Sequence, residues 1–138
     1  SIFLDNITLG SYNNFFKPNR TNKDWISSDN DNVDNYVDDD LCGFPVTNGL
    51  WQDLANGILK VFNINNYSLS ENSIPIFIIS GSKDPVGENG KGVMRLYNFL
   101  SNIFSNVSIK IVNEARHEVF SETTKENSYN SLIKFIET

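Results

Sequence analysis

The chain has 138 residues and a net charge of −6, and hydrophobic residues make up 39% of it. This length fits one domain, the apolar content excludes a disordered polar chain, and the acidic balance argues against nucleic acid as the main partner. A single cysteine excludes a disulfide-stapled fold, and no apolar run approaches the roughly 18 residues that would predict a membrane span. Because the first residue is serine rather than methionine, we expect a trimmed chain or a fragment of a longer one.

The first half of the sequence predicts helices and loops. Residues 1–46 are polar and poorly periodic, with isolated apolar side chains, which is typical of short helices joined by loops. Thr47 then precedes apolar residues at helical spacing, from Leu50 to Phe62, so we expect a helix with Thr47 as its N-cap and an apolar packing face. A polar connection follows over residues 63–73.

The second half alternates between strand and helix patterns. Residues 74–79 form a continuous apolar run rich in β-branched side chains, typical of a strand buried on both faces of a parallel sheet. Residues 93–104 have apolar side chains at helical spacing, and the alternation over residues 107–111 predicts a second strand at a sheet edge. Thr123 and Glu126 have the spacing of a capping box ahead of a terminal amphipathic helix. This order implies two parallel strands joined by a right-handed crossover.

Asp84 and His117 follow these two predicted strands closely, and His117 is the only histidine of the chain. Parallel strands expose their carboxyl ends at the same edge, about 4.8 Å apart, so two short loops can bring the carboxylate within hydrogen-bond reach of the imidazole. A carboxylate on one ring nitrogen fixes the histidine tautomer and leaves the other nitrogen free to take a proton from a nucleophile. The alternative is that Asp84 caps a turn and His117 is a surface loop residue.

Several segments carry a specific family resemblance, in the same order along the chain. They are residues 10–13, 21–27 and 36–44 in the first half, and residues 75–87, 115–118 and 121–123 in the second. These segments resemble the monoacylglycerol lipase, lysophospholipase and serine aminopeptidase branch of the α/β-hydrolases, in which the acid also precedes the histidine. The resemblance implies an Asp84 acid and a His117 base.

The same resemblance implies the fold class and its division. We expect an α/β chain that forms the C-terminal part of an α/β-hydrolase. Residues 71–138 would be the core segment, with the last two parallel strands and their helices, and residues 1–70 would be a mostly helical, cap-like segment. The nucleophile of this family lies in a Gly-x-Ser-x-Gly turn, which this sequence lacks. Ser82 does not replace it, because it belongs to the acid loop and no helix is predicted to start there. We therefore expect two of three catalytic groups, and a chain that is inactive alone.

The implied function is carboxylic ester hydrolysis in lipid metabolism, on lysophospholipids or monoacylglycerols, with no metal or organic cofactor. Two alternatives stay open: peptide or amide hydrolysis by the same family, and a non-catalytic truncated chain that serves as an interaction module. Besides the acyl-ester substrate, the implied partner is a second copy of the chain or a missing N-terminal half, because residues 74–79 would have one open edge. We expect a cytoplasmic location, with peripheral membrane association left open.

Other polar clusters have simpler interpretations. Residues 29–34 resemble a calcium loop but lack the glycine and glutamate that such a loop needs, which favours a solvated surface. Residues 38–40 indicate a helix end or turn rather than a metal cluster, and Cys42 a small buried residue. Glu118 could steady the histidine loop, pair with Arg116, or do neither.

Overall fold

The computed structural model describes residues 2–137. The described elements, in chain order, are α1 (Ile2–Ile7), α2 (Leu9–Tyr12), a 3₁₀ helix (Asn13–Phe16), α3 (Asn30–Asp38), α4 (Asn48–Val61), a second 3₁₀ helix (Ile64–Tyr67), β1 (Ile76–Gly81), α5 (Lys91–Ser101), β2 (Val107–Val112) and α6 (Lys125–Ile136). No helix within these residues is long and apolar enough to cross a membrane.

Only helical elements precede β1 in the described chain, as the poorly periodic N-terminal sequence predicts. Asp29 caps α3, because its side chain accepts the backbone N–H groups of Asp31 at 3.0 Å and Asn32 at 3.4 Å. The predicted N-cap of α4 is confirmed, since Thr47 Oγ1 accepts the N–H of Leu50 at 3.2 Å. Such caps satisfy N–H groups that have no partner inside the helix.

The apolar face of α4 is only partly covered by the described residues. No residue of α4 is buried, and Leu54 and Ile58 are 48% and 49% exposed. Beyond its end, Phe62 packs against α5, with its ring centroid 5.2 Å from that of Phe99. The predicted helix is confirmed, but much of its expected packing face is open to solvent.

β1 and β2 form a parallel two-stranded sheet. They pair over their full length, with Ile76 opposite Val107. The connecting helix α5 packs against both strands, as does α6. The stacked rings of Phe77 in β1 and Phe135 in α6, with centroids 5.1 Å apart, join the sheet to the last helix. The predicted order of strand, helix, strand and helix is therefore confirmed.

The first strand differs from its prediction in position and burial. β1 spans Ile76–Gly81 rather than residues 74–79, because Pro75 has no N–H to donate and pairing with β2 continues as far as Gly81. Its apolar residues are half-buried rather than buried on both faces. The described residues place a neighbouring strand on one side of β1 only, so solvent reaches its side chains.

The predicted capping box of the last helix is wrong. α6 begins at Lys125, its N-cap is Thr124, and that side chain makes no capping hydrogen bond. The hydroxyl of Thr123 lies 3.1 Å from that of Ser28 instead. The Thr123 hydroxyl, which the local pattern predicts as a helix cap, therefore makes a tertiary contact with the loop before α3.

One cluster of buried apolar residues lies at the carboxyl end of the sheet. Val112, Ala115 and Val119 form a cluster against which Ile79 and Phe120 pack. Three further buried apolar residues precede the sheet in sequence: Trp25 and Ile26 in the loop before α3, and Val33 in α3. Because Ala115 and Val119 flank the histidine in sequence, this core supports the loop that carries it.

Candidate active site

The loops that follow β1 and β2 lie against each other. The N–H of Lys83 donates to the carbonyl oxygen of Ala115 at 2.9 Å, and the N–H of Glu114 donates to Ser82 Oγ at 2.8 Å. Gly81 permits this approach, because a Cβ at that position would collide with the backbone carbonyl of Ala115. The acid loop and the histidine loop are therefore in direct contact.

Asp84 is held in one orientation within the acid loop. Its side chain is only 8% exposed. Oδ1 accepts the N–H of Val86 at 2.9 Å, and the hydroxyl of Ser80 donates to Oδ2 at 3.4 Å. The carbonyl oxygen of Asp84 accepts the N–H of Asn89 at 2.8 Å, which fixes the backbone as well. The orientation of the Asp84 carboxylate is therefore fixed by contacts within its own loop.

His117 meets this carboxylate through one ring nitrogen. Its Nδ1 lies 3.1 Å from Oδ1 and 3.2 Å from Oδ2 of Asp84. A carboxylate accepts hydrogen bonds, so Nδ1–H donates and Nε2 of the neutral ring is left as the acceptor. The imidazole is 40% exposed, so a group from outside can reach it. The structure thus brings the two predicted site residues together, and their catalytic role stays a prediction.

The hydrogen bond to Asp84 raises the pKa of His117 above its ordinary value of 6.5. The charges of Asp84 and Glu118 act in the same direction, whereas burial of the ring opposes them. All three effects follow from how well the surroundings accommodate a charged imidazolium. A base at this position is neutral only above the raised pKa, so catalysis through it would decline toward acid pH.

We expect the C2 proton of His117 to titrate with a pKa above 6.5, and Asp84→Asn to lower that pKa. Because the folded-state pKa is raised, the Asp84–His117 contact stabilises the fold fully below the unfolded-state value of about 6.5. That contribution is lost as pH rises through the folded-state pKa. Proton NMR measures the titration directly, because the chain has a single histidine. A pKa at or below 6.5 contradicts the prediction that the hydrogen bond to Asp84 outweighs burial of the ring.

The histidine loop also contacts the loop over residues 17–29 that precedes α3. The ring of Trp25 lies 5.1 Å from the imidazole, at an interplanar angle of 44°. The N–H of Glu118 donates to the carbonyl oxygen of Ile26 at 2.8 Å, and the guanidinium of Arg116 donates to that of Ser27 at 2.9 Å. The imidazole therefore lies between the acid loop and the loop before α3.

A cavity of about 670 Å³ lies between the N-terminal helices and the loop after α3. Its lining includes the apolar or aromatic side chains of Leu9, Tyr36, Phe44 and Trp25. Trp25 also contacts the imidazole of His117, which does not itself line the cavity. The cavity and the candidate base therefore share Trp25 as a neighbour.

The weaker sequence candidates have structural roles. Residues 29–34 form the N-cap and first turns of α3, and α3 ends at Asp38, which confirms the helix-end interpretation of residues 38–40. Cys42 is half-buried rather than buried, because the loop after α3 is exposed on either side of it. Among residues 2–137, no group of three or more His, Cys, Asp or Glu side chains could hold a metal ion.

Glu118 steadies the histidine loop. Its Oε2 accepts a hydrogen bond from Asn32 Nδ2 at 2.7 Å, which links the loop to α3. The guanidinium of Arg116 does not pair with Glu118. It donates to backbone carbonyls of the loop before α3, including that of Ser27. Of the interpretations that the sequence leaves open for Glu118, the structure favours support of the histidine loop over pairing with Arg116.

Sequence reasoning missed Trp25 and Glu122. The first covers one side of the imidazole, and Glu122 is only 1% exposed and accepts the N–H of Arg116 at 2.7 Å. Both residues fall within segments that carry the family resemblance, 21–27 and 121–123, and that is the one signal that points to them. Spacing alone does not, because Trp25 lies 92 residues before His117 and Ser28 lies 94 residues before its partner Glu122.

The arrangement can supply the acid–base part of nucleophilic catalysis. Nε2 of His117 can take a proton from a hydroxyl group, and Asp84 then stabilises the imidazolium that forms. Ser82 is an unsuitable donor of that hydroxyl, because its oxygen already accepts the N–H of Glu114 and braces the two loops.

Comparison with known proteins identifies the family. The sequence matches the family described as serine aminopeptidase, S33, over residues 3–124. The crystal structure of a highly thermostable carboxyl esterase from Bacillus coagulans in complex with glycerol is similar, with a TM-score of 0.82 and 26% identity over 99% of this chain and 45% of that chain. A structure titled lipase (open form) shares the fold, with a TM-score of 0.78 and 24% identity over 97% of this chain and 44% of that one. No curated protein sequence gives a significant match.

This chain spans less than half the length of the two solved structures, so it holds only part of their fold. The part that it holds is the parallel pair β1 and β2 with their helices, and the helical segment before them. The sequence match covers most of the chain, including Asp84 and His117. The chain therefore belongs to the S33 serine aminopeptidase family of α/β-hydrolases.

Proposed function

We propose that this chain supplies the acid, Asp84, and the base, His117, of a serine hydrolase that cleaves carboxylic esters of acylglycerols or lysophospholipids. The observation that carries the proposal is the contact of His117 Nδ1 with the buried carboxylate of Asp84. That contact orients the ring and leaves Nε2 for a nucleophile. The nucleophilic serine would lie outside these 138 residues, since the sequence has no Gly-x-Ser-x-Gly.

In the proposed reaction, the serine hydroxyl attacks the acyl carbon and its proton passes to Nε2 of His117. The imidazolium then gives this proton to the departing alcohol as the bond between the carbonyl carbon and the ester oxygen breaks. Water attacks the acyl-enzyme in the same way and releases the fatty acid. Asp84 keeps Nδ1 protonated throughout and offsets the positive charge of the ring.

Two observations favour an ester over an amide as the substrate. The similar structure at 26% identity is described as a carboxyl esterase. The cavity that Trp25 helps to line has aromatic and aliphatic walls, including Leu9 and Phe44, which suit an acyl chain. The second candidate function is peptide or amide hydrolysis, because the matched family is described as serine aminopeptidase.

The complete enzyme, in which a nucleophile-bearing segment accompanies this chain, separates the two candidates. Hydrolysis of p-nitrophenyl butyrate is compared with hydrolysis of an amino acid p-nitroanilide, since both release chromogenic products. The proposal expects a higher kcat/KM for the ester, lost in His117→Ala. Preferential cleavage of the anilide would replace the ester proposal with the peptidase one. No hydrolysis of either substrate would support a non-catalytic interaction module instead.

The open edge of β1 is part of the same proposal. Ile76 and Ser82 donate their N–H groups toward the β2 side, to Asn106 at 2.8 Å and Val112 at 2.9 Å. Backbone groups alternate along a strand, so those of Ile79 point to the opposite side. In the complete enzyme this edge would take a strand of the nucleophile-bearing segment. In the isolated chain it would take a second copy, because an exposed apolar edge recruits another strand.

We therefore expect the isolated chain to self-associate, with a mass of at least twice 15.6 kDa by light scattering at high micromolar concentration. Ile79→Pro removes an outward-facing donor and should favour the monomer. The matched control, Ile79→Ala, loses the side chain but keeps the N–H, and should remain associated. A folded wild-type monomer contradicts the prediction. Continued association of Ile79→Pro would move the contact from the edge to the apolar helix faces.

A cytoplasmic location completes the proposal. It is supported by the single cysteine of the sequence, because small secreted domains often depend on disulfides and one cysteine cannot form a disulfide within the chain. Fractionation of cells that make the protein measures this, and recovery with washed membranes would favour the peripheral alternative.

A further inference from the structure

Glu122 is the most deeply buried charged residue of the described chain, at 1% exposure. Its carboxylate accepts hydrogen bonds from two directions. Oε1 accepts the N–H of Arg116 at 2.7 Å, and both oxygens lie 3.1 Å from the N–H of Ser28. Oε2 also accepts the hydroxyl of Ser28 and, at 3.3 Å, the N–H of Thr123. Every partner is a donor, which matches a carboxylate and does not match an amide at the same position.

The two main partners of Glu122, Arg116 and Ser28, lie in different parts of the molecule. Arg116 immediately precedes His117, so a bond to its N–H fixes the backbone where the histidine begins. Ser28 belongs to the loop before α3, and Trp25 of that loop lies 5.1 Å from the imidazole. The single side chain of Glu122 therefore joins the backbone of the histidine loop to the segment that covers the ring.

Further hydrogen bonds cross the same junction. The hydroxyl of Ser27 donates to the carbonyl oxygen of Ser121 at 3.0 Å. The guanidinium of Arg116 is not paired with Glu122, because it donates to backbone carbonyls that include that of Ser27. Burying a carboxylate among neutral donors is costly unless the donors are well placed. A buried network whose members are all satisfied holds one geometry.

We infer that Glu122 is a positioning residue for His117, which sets the imidazole against Asp84 by fixing the Arg116 backbone to Ser28 of the loop before α3. The inference rests on the proposed role of His117 as the base. Glu122 touches neither the ring nor a reacting atom, so it acts through the loop that it holds. Its loss should therefore change the histidine geometry in the native state, and not only the stability of the fold.

Glu122→Gln tests this, since the amide keeps the size of the side chain but turns a donor toward the donors of Arg116 and Ser28. The C2 proton of His117 is followed by NMR as a function of pH in the 138-residue chain. The groups that face the ring, Asp84 and Glu118, are unchanged. We expect the His117 pKa to fall toward 6.5 and the ring-current shift from Trp25 to decrease.

Glu126→Gln is the matched control, because Glu126 is an exposed carboxylate in the first turn of α6. It should leave both readouts at their wild-type values. Ser28→Ala removes the hydroxyl that donates to Glu122 but keeps the Ser28 N–H. It should shift the His117 signal in the same direction by a smaller amount. If Glu122→Gln does not fold, Ser28→Ala decides the question by the same two readouts.

A purely structural role would lower the midpoint of denaturation while the native titration and ring-current shift stayed as in wild type. That result in a folded Glu122→Gln, or in Ser28→Ala where it decides, overturns the inference. The readouts need no substrate, so they are independent of the ester assay. A shifted titration in a chain whose complete form lacks esterase activity would refute the proposed function and leave the positioning by Glu122 standing.

Discussion

Replacing His117 by alanine in the complete enzyme should lower ester turnover by about 10⁶-fold, as the loss of the histidine does in serine protease triads. The expected effect is this large because Nε2 of His117 would both take the serine proton and return it to the departing alcohol. The measurement is kcat for p-nitrophenyl butyrate. KM should change much less, because the imidazole contributes mainly in the transition state.

Folding controls are needed because the ring of His117 also contacts Trp25. Circular dichroism should show unchanged helical content in His117→Ala. The double variant with Asp84→Asn should be hardly slower than His117→Ala, since Asp84 acts through the histidine and the two losses are not additive. Turnover within tenfold of wild type in a folded His117→Ala variant would remove His117 from the mechanism.

Asp84→Asn should lower turnover by about 10⁴-fold, the loss that the same change causes in serine protease triads. The asparagine oxygen can keep the hydrogen bond from the N–H of Val86, which Oδ1 accepts at 2.9 Å. Its amide nitrogen then faces Nδ1 of His117 and donates to it. Nδ1 becomes the acceptor and Nε2 carries the proton, so the tautomer is wrong for a base.

The matched control is Glu88→Gln, which alters an exposed carboxylate of the same loop that pairs with Arg95. It should leave turnover unchanged. Equal turnover of Asp84→Asn and wild type would reduce Asp84 to a turn residue and direct the search to another carboxylate. Because Asp84 is buried and not exposed, some loss of stability is also expected, and thermal denaturation measures it.

The sequence predicts the two-stranded parallel unit and the contact of Asp84 with His117 because both depend on short stretches of chain. Each loop is fixed by the strand before it, and parallel strands bring the loop ends to one edge. The departures arise where tertiary contacts override local patterns. Thr123 is placed by the hydroxyl of Ser28 rather than by the helix that it was predicted to cap.

The contacts of Glu122 and Trp25 could not be predicted from spacing. Glu122 binds Ser28, which lies 94 residues earlier, and Trp25 lies 92 residues before the histidine that it covers. No pattern of hydrophobicity or capping marks such a pair, because neither residue belongs to a regular element. The open face of α4 is a second case, since an apolar helical face predicts burial but does not identify what covers it.

The most direct measurement is ester hydrolysis by the 138-residue chain beside the complete enzyme, at equal molar concentrations and with p-nitrophenyl butyrate as substrate. The account predicts that the chain alone shows no more hydrolysis than its own His117→Ala variant, because Asp84 and His117 have no serine to activate. It predicts that the complete enzyme turns over the ester. Hydrolysis by the chain alone, above its His117→Ala control, would contradict the claim that this chain supplies only the acid and the base.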